Sequence, residues 1–129
     1  MPQDADIFRT QTRLGRVLLA PLLLLASFSP PLLAREAGAV RRFDIALENG
    51  QVTGGPRVVR VLRGDQVEIL WTSDRVVMLH LHGYDIEISA APGAPERMTF
   101  SAHATGRFPV EIHGGGRDRT LIHVEVHPR

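Results

Sequence analysis

The sequence of 129 residues contains neither cysteine nor lysine. Without cysteine, the chain can have no disulfide, thiol nucleophile, iron–sulfur cluster, thiolate zinc site or copper site that needs a thiolate. All 15 basic residues are therefore arginine, and 14 acidic residues balance them to a net charge of +1. This balance provides no strong electrostatic field, so we expect no nucleic-acid partner.

Residues 1–34 have the layout of a secretory signal peptide. Three arginines precede a short apolar run that begins at Val17, and the segment ends with the small residue Ala34. This order is typical of a cleavable export signal. The run is shorter than the roughly 20 residues of a membrane span, and prolines interrupt it, so we expect no stable membrane insertion. The predicted organisation is a signal peptide at 1–34 and one domain at 35–129, in a periplasmic or secreted protein.

The domain at 35–129 has the pattern of an all-β structure. Short runs in which apolar and polar residues alternate, such as Phe43 to Leu47, are separated by turn residues, such as Glu48-Asn49-Gly50. No segment after residue 34 keeps the period of a helix. About seven to eight strands at this spacing indicate a β-sandwich, and the domain is long enough to form one hydrophobic core.

Three segments of this domain resemble motifs of the cupredoxins, the plastocyanin- and azurin-type domains. Residues 63–74, RGDQVEILWTSD, resemble the strand GD-x-V-x-[apolar]-x-W that precedes the first copper-ligand histidine. Residues 106–112, GRFPVEI, resemble the strand G-x-Y-x-F-x-C, and residues 121–126, LIHVEV, resemble the short final strand. The resemblance implies a cupredoxin-like Greek-key β-sandwich, with His82 near the position of the first histidine ligand.

The chain departs from the cupredoxin pattern at the copper site. The position of the copper-binding cysteine falls on Ile112, that of the second histidine on Gly115 and that of the axial methionine near Thr120. Three ligands of the type 1 copper site are therefore absent. Because the thiolate gives type 1 copper its electronic structure, electron shuttling by the usual cupredoxin chemistry is excluded.

A different group of side chains could bind a metal ion. His80 and His82 are two residues apart, so on a strand both imidazoles project from the same face. Met78 shares that face and offers a thioether, which suits Cu(I). The string His-Leu-His-Gly also resembles a motif of the multicopper oxidases, but those enzymes need several such pairs. We therefore predict a histidine-rich copper site outside the type 1 class, and no catalytic residues.

His113 is the candidate third ligand. In cupredoxins, the loop at this position meets the strand of the first histidine at one end of the sandwich. Strict alternation with the apolar residues of its own strand sends His113 away from the core. We therefore expect His113 to join His80 and His82 only if the strand breaks at Ile112, which the glycines at 114–116 would permit.

The same residues allow two other interpretations. The histidines could be ordinary half-buried residues of a metal-free interaction domain that keeps the sandwich without the site. Alternatively, His80-x-His82 followed by Glu87, with Gly93 downstream, matches part of the cupin metal motif of certain enzymes. Asp74 stands where that motif has a glycine, and a second half-motif is absent.

The expected function is metal binding in an exported protein, for the handling or delivery of copper. The expected partners are the metal ion and a second periplasmic protein.

His103, His123 and His127 are expected to be surface residues outside the site. The scattered carboxylates, Glu111 among them, have no paired spacing that would indicate acid–base catalysis.

Overall fold

The computed structural model describes residues 38–114 and 116–129. Within these ranges the chain forms nine β-strands and no helix, and therefore no helix that could cross a membrane. The predicted signal peptide, residues 1–34, lies outside the described residues. The strands are β1 (Val40–Glu48), β2 (Gln51–Gly54), β3 (Val58–Leu62), β4 (Gln66–Ser73), β5 (Val77–Leu81), β6 (Ile86–Ala90), β7 (Glu96–Ser101), β8 (Gly106–His113) and β9 (Arg119–His127).

The described strands form two sheets. One has four strands in the order β2-β1-β4-β7, and the other has five in the order β3-β9-β8-β5-β6. Neighbouring strands are antiparallel except for the parallel pairs β1 with β4 and β3 with β9. The prediction of an all-β sandwich is confirmed. The structure has more strands than expected because β2, which lies between two turn segments, has only four residues and is too short to show an alternating pattern.

The hydrophobic core lies between the two sheets. The four-stranded sheet contributes Ile69 and Trp71 from β4, and the five-stranded sheet contributes Leu79 and Leu81 from β5; all four are fully buried. Burial of an aliphatic side chain of this size stabilises a fold by about 1.5–3 kcal/mol. Because successive side chains of a strand point to opposite faces, burial of these residues directs their neighbours to the outer faces.

The outer face of the five-stranded sheet carries polar residues of β5 and β8. On β5, the burial of Leu79 leaves His80 on the outer face. On β8, the burial of Ile112 leaves Glu111 and His113 on the same outer face. Because β5 and β8 are hydrogen-bonded neighbours, these polar side chains lie next to one another.

The prediction that His113 needs a strand break at Ile112 is wrong. β8 continues through His113. The alternation that sends His113 away from the core brings it towards His80 and His82, because these residues lie on the outer face as well. The histidines therefore meet on the outer face of one sheet.

A buried carboxylate ties both ends of the described chain to the turn between β3 and β4. Asp65 is 0% exposed. It accepts hydrogen bonds from the backbone N–H groups of Ala39 and Leu62 and from the guanidinium groups of Arg41 and Arg129. Burial by itself would raise the pKa of the Asp65 carboxyl, but these hydrogen bonds hold it below its ordinary value. The folded state therefore stabilises the ionised carboxylate of Asp65 relative to its protonated form.

Candidate metal centre

Three histidines converge on the outer face of the five-stranded sheet. His80 lies on β5, His82 follows β5 directly, and His113 ends β8. Each offers one ring nitrogen, and these nitrogens lie within 4.8 Å of one another. The ring centroid of His80 is 4.2 Å from that of His82 and 5.4 Å from that of His113. With metal–nitrogen bonds of about 2.1 Å, small adjustments of the rings would let all three bind one ion.

The register between β5 and β8 brings His113 into this cluster. Met78 lies directly opposite His113, and His80 lies directly opposite Glu111. On one face of an antiparallel pair, diagonal neighbours are within reach of long and aromatic side chains. His80 and His113 are such diagonal neighbours, so the backbone pairing accounts for their approach.

A carboxylate orients His82. The Nε2 of His82 forms a 2.8 Å hydrogen bond with Oε2 of Glu111. The Oγ1 of Thr120 donates a hydrogen bond of 3.2 Å to the other carboxylate oxygen. Because an ionised carboxylate only accepts hydrogen bonds, the contact places the ring proton on Nε2 and the lone pair on Nδ1. Metal-binding histidines characteristically have such a carboxylate on the nitrogen that does not bind the metal.

His113 has a similar arrangement with the two ring nitrogens exchanged. Its Nδ1 lies 2.9 Å from Oδ1 of Asp118, and its Nε2 is buried without a hydrogen-bond partner. The Nε2 of His80 is also buried without a hydrogen-bond partner, although Oδ1 of Asp85 lies 3.4 Å away. Two rings of the cluster therefore have a nitrogen without a hydrogen bond.

These unpartnered nitrogens fit a metal site. A buried polar atom left without a partner costs about 1–3 kcal/mol, so such atoms are uncommon in folded proteins. Among the described side chains, Trp71 has the third such atom, Nε1, but Trp71 lies in the apolar core. The nitrogens of His80 and His113 instead belong to a cluster of imidazoles, a ligand type that suits copper and zinc.

Met78 and Glu87 border the cluster. Met78 lies opposite His113 on the outer face, and the residue is 48% exposed. Glu87 on β6 lies directly opposite His80 and therefore faces the same side of the sheet. Glu87 is exposed and does not belong to the group of three histidines.

The remaining histidines lie outside the cluster. His103 is exposed, and its Nδ1 contacts the backbone oxygen of Ser101. His127 is exposed as well, whereas His123 is partly buried, with its Nδ1 3.3 Å from Arg107 Nη2. None of the three belongs to the group that could hold a metal ion.

The positions of the missing type 1 ligands have other roles. Ile112 belongs to the hydrophobic core. Thr120 contacts Glu111 and so supports the contact with His82. Gly115 lies outside the described residues. Since Ile112 points into the core, the cysteine position of the type 1 pattern contributes nothing to the cluster on the outer face.

The residue patterns of the sequence do not identify the carboxylates that contact the histidines. Glu111 is two residues before His113, so alternation could have placed both on one face. Asp118 follows the glycine segment, whose path no periodicity determines. Asp85 lies in a turn, where the direction of a side chain depends on backbone angles that alternation does not give.

Comparison with known proteins shows likeness in structure. No protein-family model matches the sequence, and no curated protein matches it. The periplasmic domain of subunit II of cytochrome oxidase (CoxB) of Bradyrhizobium japonicum matches with a TM-score of 0.56 and 15% identity, covering 68% of this chain and 84% of that one. A copper binding protein in the apo form, solved by NMR, matches with a TM-score of 0.55 and 11% identity, covering 70% and 90%.

A heme-copper terminal oxidase dimer, solved by cryo-EM, provides a third match. Its TM-score is 0.55 at 21% identity, and the match covers 67% of this chain. This chain spans 65% of the length of that oxidase chain. At such identities the likeness defines the fold, which is cupredoxin-like, as the sequence motifs predict. This fold does not support the interpretation that His80, His82 and Glu87 are part of a cupin metal motif.

Proposed function

We propose that this protein is an exported metal-binding protein that handles or delivers copper through His80, His82 and His113. The observation that carries the proposal is the convergence of three ring nitrogens to within 4.8 Å on one sheet face. The buried, unpartnered Nε2 atoms of His80 and His113 support it. So does the contact of Glu111 with His82, which leaves Nδ1 of that ring with the lone pair.

Copper is the metal that the ligand types favour. Imidazole binds both copper and zinc, and among divalent first-row metals the affinity of a given site is highest for Cu(II). One of the proteins with a similar fold is a copper binding protein. Met78, opposite His113, adds a thioether that is a candidate ligand for Cu(I).

The exposure of the cluster favours exchange of the ion over permanent burial of a cofactor. The side chains of His80, His82 and His113 are 16%, 40% and 27% exposed. An open cleft of about 800 Å³ borders His113. A second periplasmic protein could therefore reach the metal with its own ligands. Since the chain has no thiolate, electron transfer of the type 1 kind is not part of the proposal.

Export is a separate part of the proposal. The arrangement of basic, apolar and small residues in 1–34 supports it, and the CoxB domain of similar fold is periplasmic. We expect the mature protein to begin near Arg35, which intact-mass measurement on the exported protein would show. Recovery of the full-length chain from the cytosol or the membrane fraction would contradict export.

Metal analysis of the mature protein, purified from the periplasm without an affinity tag, tests the metal function. We expect stoichiometric copper, or stoichiometric uptake when Cu(II) is added. The competing class, a metal-free interaction domain, predicts background metal in both cases. The affinity tag is omitted because a histidine tag binds copper itself.

Alanine variants test whether the histidines form the site. His80→Ala and His82→Ala should each remove most of the Cu(II) binding, and the double variant should lose little more, because ligands of one ion act as a unit. His113→Ala should behave like either single variant. His127→Ala is the matched control and should bind like the wild type. Wild-type affinity in the folded His80→Ala/His82→Ala variant would overturn the proposal.

A further inference from the structure

Asp85 lies beside the cluster but outside the group of three histidines. It is the last residue of the turn between β5 and β6, and its φ of 55° is in the left-handed region, which Asp adopts more readily than most residues. The side chain is 100% exposed. This turn brings Oδ1 of Asp85 to 3.4 Å from Nε2 of His80.

That separation suits two ligands of one ion better than a hydrogen bond. Hydrogen bonds between nitrogen and oxygen have typical lengths of about 2.7–3.2 Å, and Nε2 of His80 has no hydrogen-bond partner. Two ligands of a tetrahedral ion, each bound at about 2.1 Å, are about 3.4 Å apart. In this position Asp85 is near His80 but not within 4.8 Å of all three histidine ligand atoms, so binding one ion together with them requires its exposed side chain to rotate.

The other carboxylates that contact the cluster are already engaged. Glu111 and Asp118 contact Nε2 of His82 and Nδ1 of His113, respectively. These contacts leave the opposite nitrogen of each ring for the ion. Asp85 differs because it lies near a nitrogen that has no hydrogen bond. It is therefore the candidate for a direct oxygen ligand.

We propose that Asp85 is the fourth ligand of the metal site and makes the site selective for a divalent cation over Cu(I). The proposal rests on the proposed metal function of the three histidines. A carboxylate is a hard, anionic ligand, which favours a doubly charged ion, whereas Cu(I) favours soft sulfur ligands such as the thioether of Met78. The oxidation state of copper would then decide whether the oxygen of Asp85 or the sulfur of Met78 completes the site.

The variant Asp85→Asn tests this ligand role. Asn has nearly the same shape and also adopts left-handed backbone angles, but it lacks the charge. Affinities for Cu(II), Zn(II) and Cu(I) would be measured by competition with chelators of known affinity. We expect the Cu(II) and Zn(II) affinities to fall by about 10-fold or more, since the loss of a direct ligand costs at least as much as the loss of an orienting carboxylate, and the Cu(I) affinity to stay unchanged. The hyperfine splitting of bound Cu(II) in electron paramagnetic resonance should change as well, because an oxygen ligand is lost.

Glu87→Gln is the matched control. Glu87 lies on the same hairpin and the same face, directly opposite His80, so this variant also removes one negative charge near the cluster. Its metal affinities should equal those of the wild type. If Glu87→Gln lost as much Cu(II) affinity as Asp85→Asn, general electrostatic attraction would account for the effect, and the ligand role of Asp85 would be overturned.

The remaining outcomes separate this inference from the proposed function. If the histidine variants lose Cu(II) binding while Asp85→Asn keeps wild-type affinity, Asp85 is not a ligand but the histidine site stands. If Asp85→Asn loses Cu(I) and Cu(II) affinity equally, Asp85 only orients His80, and the fourth-ligand proposal is wrong. If the wild type binds neither copper ion, both proposals fail together. Thermal unfolding of Asp85→Asn should match the wild type, since the side chain is exposed.

Discussion

His82 and Glu111 are joined by a 2.8 Å hydrogen bond between Nε2 and Oε2, although they are 29 positions apart in the sequence. Glu111 also lies directly opposite His80 in the β5–β8 register, so one carboxylate on β8 faces both histidines of the β5 segment. Thr120 on β9 contacts the other carboxylate oxygen. The carboxylate is thus held by contacts from two sides, and it determines which nitrogen of His82 is available to an ion.

Glu111→Ala should weaken Cu(II) binding by about 10–100-fold, because removing a carboxylate that orients a histidine ligand has an effect of this size in other metal sites. Glu111→Gln should lose less, since an amide oxygen can still accept the hydrogen bond from His82. Thr120→Val should lose least, because it leaves the carboxylate in place. Competition titrations of the three variants, with thermal unfolding as the control for folding, would measure this order. Wild-type affinity in Glu111→Ala would show that the contact with His82 is irrelevant to binding.

The class of fold could be predicted because burial follows strand alternation closely. Val67, Ile69 and Trp71 occupy alternate positions of β4, and all three are buried. β2 could not be predicted in the same way, because its four residues, Gln51–Gly54, include a single buried side chain, Val52. One buried residue gives no period that could be recognised.

The candidate site could be predicted only in part. The spacing of His80 and His82 is enough to place them on one face. The position of His113 relative to them depends on the pairing of β5 with β8. A shift of one residue in that pairing would move the side chain of His113 to the opposite face of the sheet. The contacts of Glu111 and Asp85 depend on the register and on turn angles, which single-strand patterns do not contain. Metal binding itself stays a prediction.

The absorption and resonance spectra of the Cu(II) protein should lack type 1 features. With imidazole and oxygen ligands and no thiolate, the protein should be pale and its copper hyperfine splitting wide. Optical and electron paramagnetic resonance spectra of the mature protein with one equivalent of Cu(II) would test this. The same spectra of His80→Ala/His82→Ala should show the features of free or weakly bound Cu(II). An intense blue absorption band would contradict ligation without sulfur.

Acid should destabilise the fold through Asp65. Because the folded-state pKa of its carboxyl lies below the ordinary value of 3.8, the carboxylate stabilises the fold above that pH, and this contribution is lost as the pH falls through the folded-state value. Asp65→Asn should lower the free energy of unfolding at pH 7 by about 1.5–3 kcal/mol, as expected for lost hydrogen bonds to a charged group. Its stability should then depend less on pH than that of the wild type between about pH 5 and pH 2.

Urea denaturation across this pH range would measure the effect of Asp65→Asn. Asp44→Asn is the matched control, since Asp44 is an exposed aspartate on β1, and it should keep both the stability and the pH dependence of the wild type. If the free-energy curves of Asp65→Asn and the wild type were parallel below pH 5, the acid sensitivity would have to come from other groups.

The turn between β5 and β6 depends on Gly83, which lies between His82 and Asp85. Gly83 has a φ of 81°, and a Cβ atom at this position would lie 2.4 Å from Cδ1 of the Phe108 ring. Gly93 has a similar φ of 70°, but a Cβ atom there would meet no atom within 4 Å. The two glycines therefore share the backbone conformation and differ in the space around it.

Alanine at either glycine should destabilise the protein, and Gly83→Ala should do so more. A left-handed conformation costs a residue with a Cβ atom about 1–2 kcal/mol, and Gly93→Ala should lose only this amount. Gly83→Ala should lose more, because either Phe108 or the turn must move. Since the turn carries His82 and Asp85, Cu(II) affinity should also fall in Gly83→Ala and stay at the wild-type value in Gly93→Ala. Urea denaturation and Cu(II) titration of both variants would measure these differences. Equal losses of stability, with unchanged Cu(II) affinity in both variants, would show that the contact with Phe108 does not position the turn.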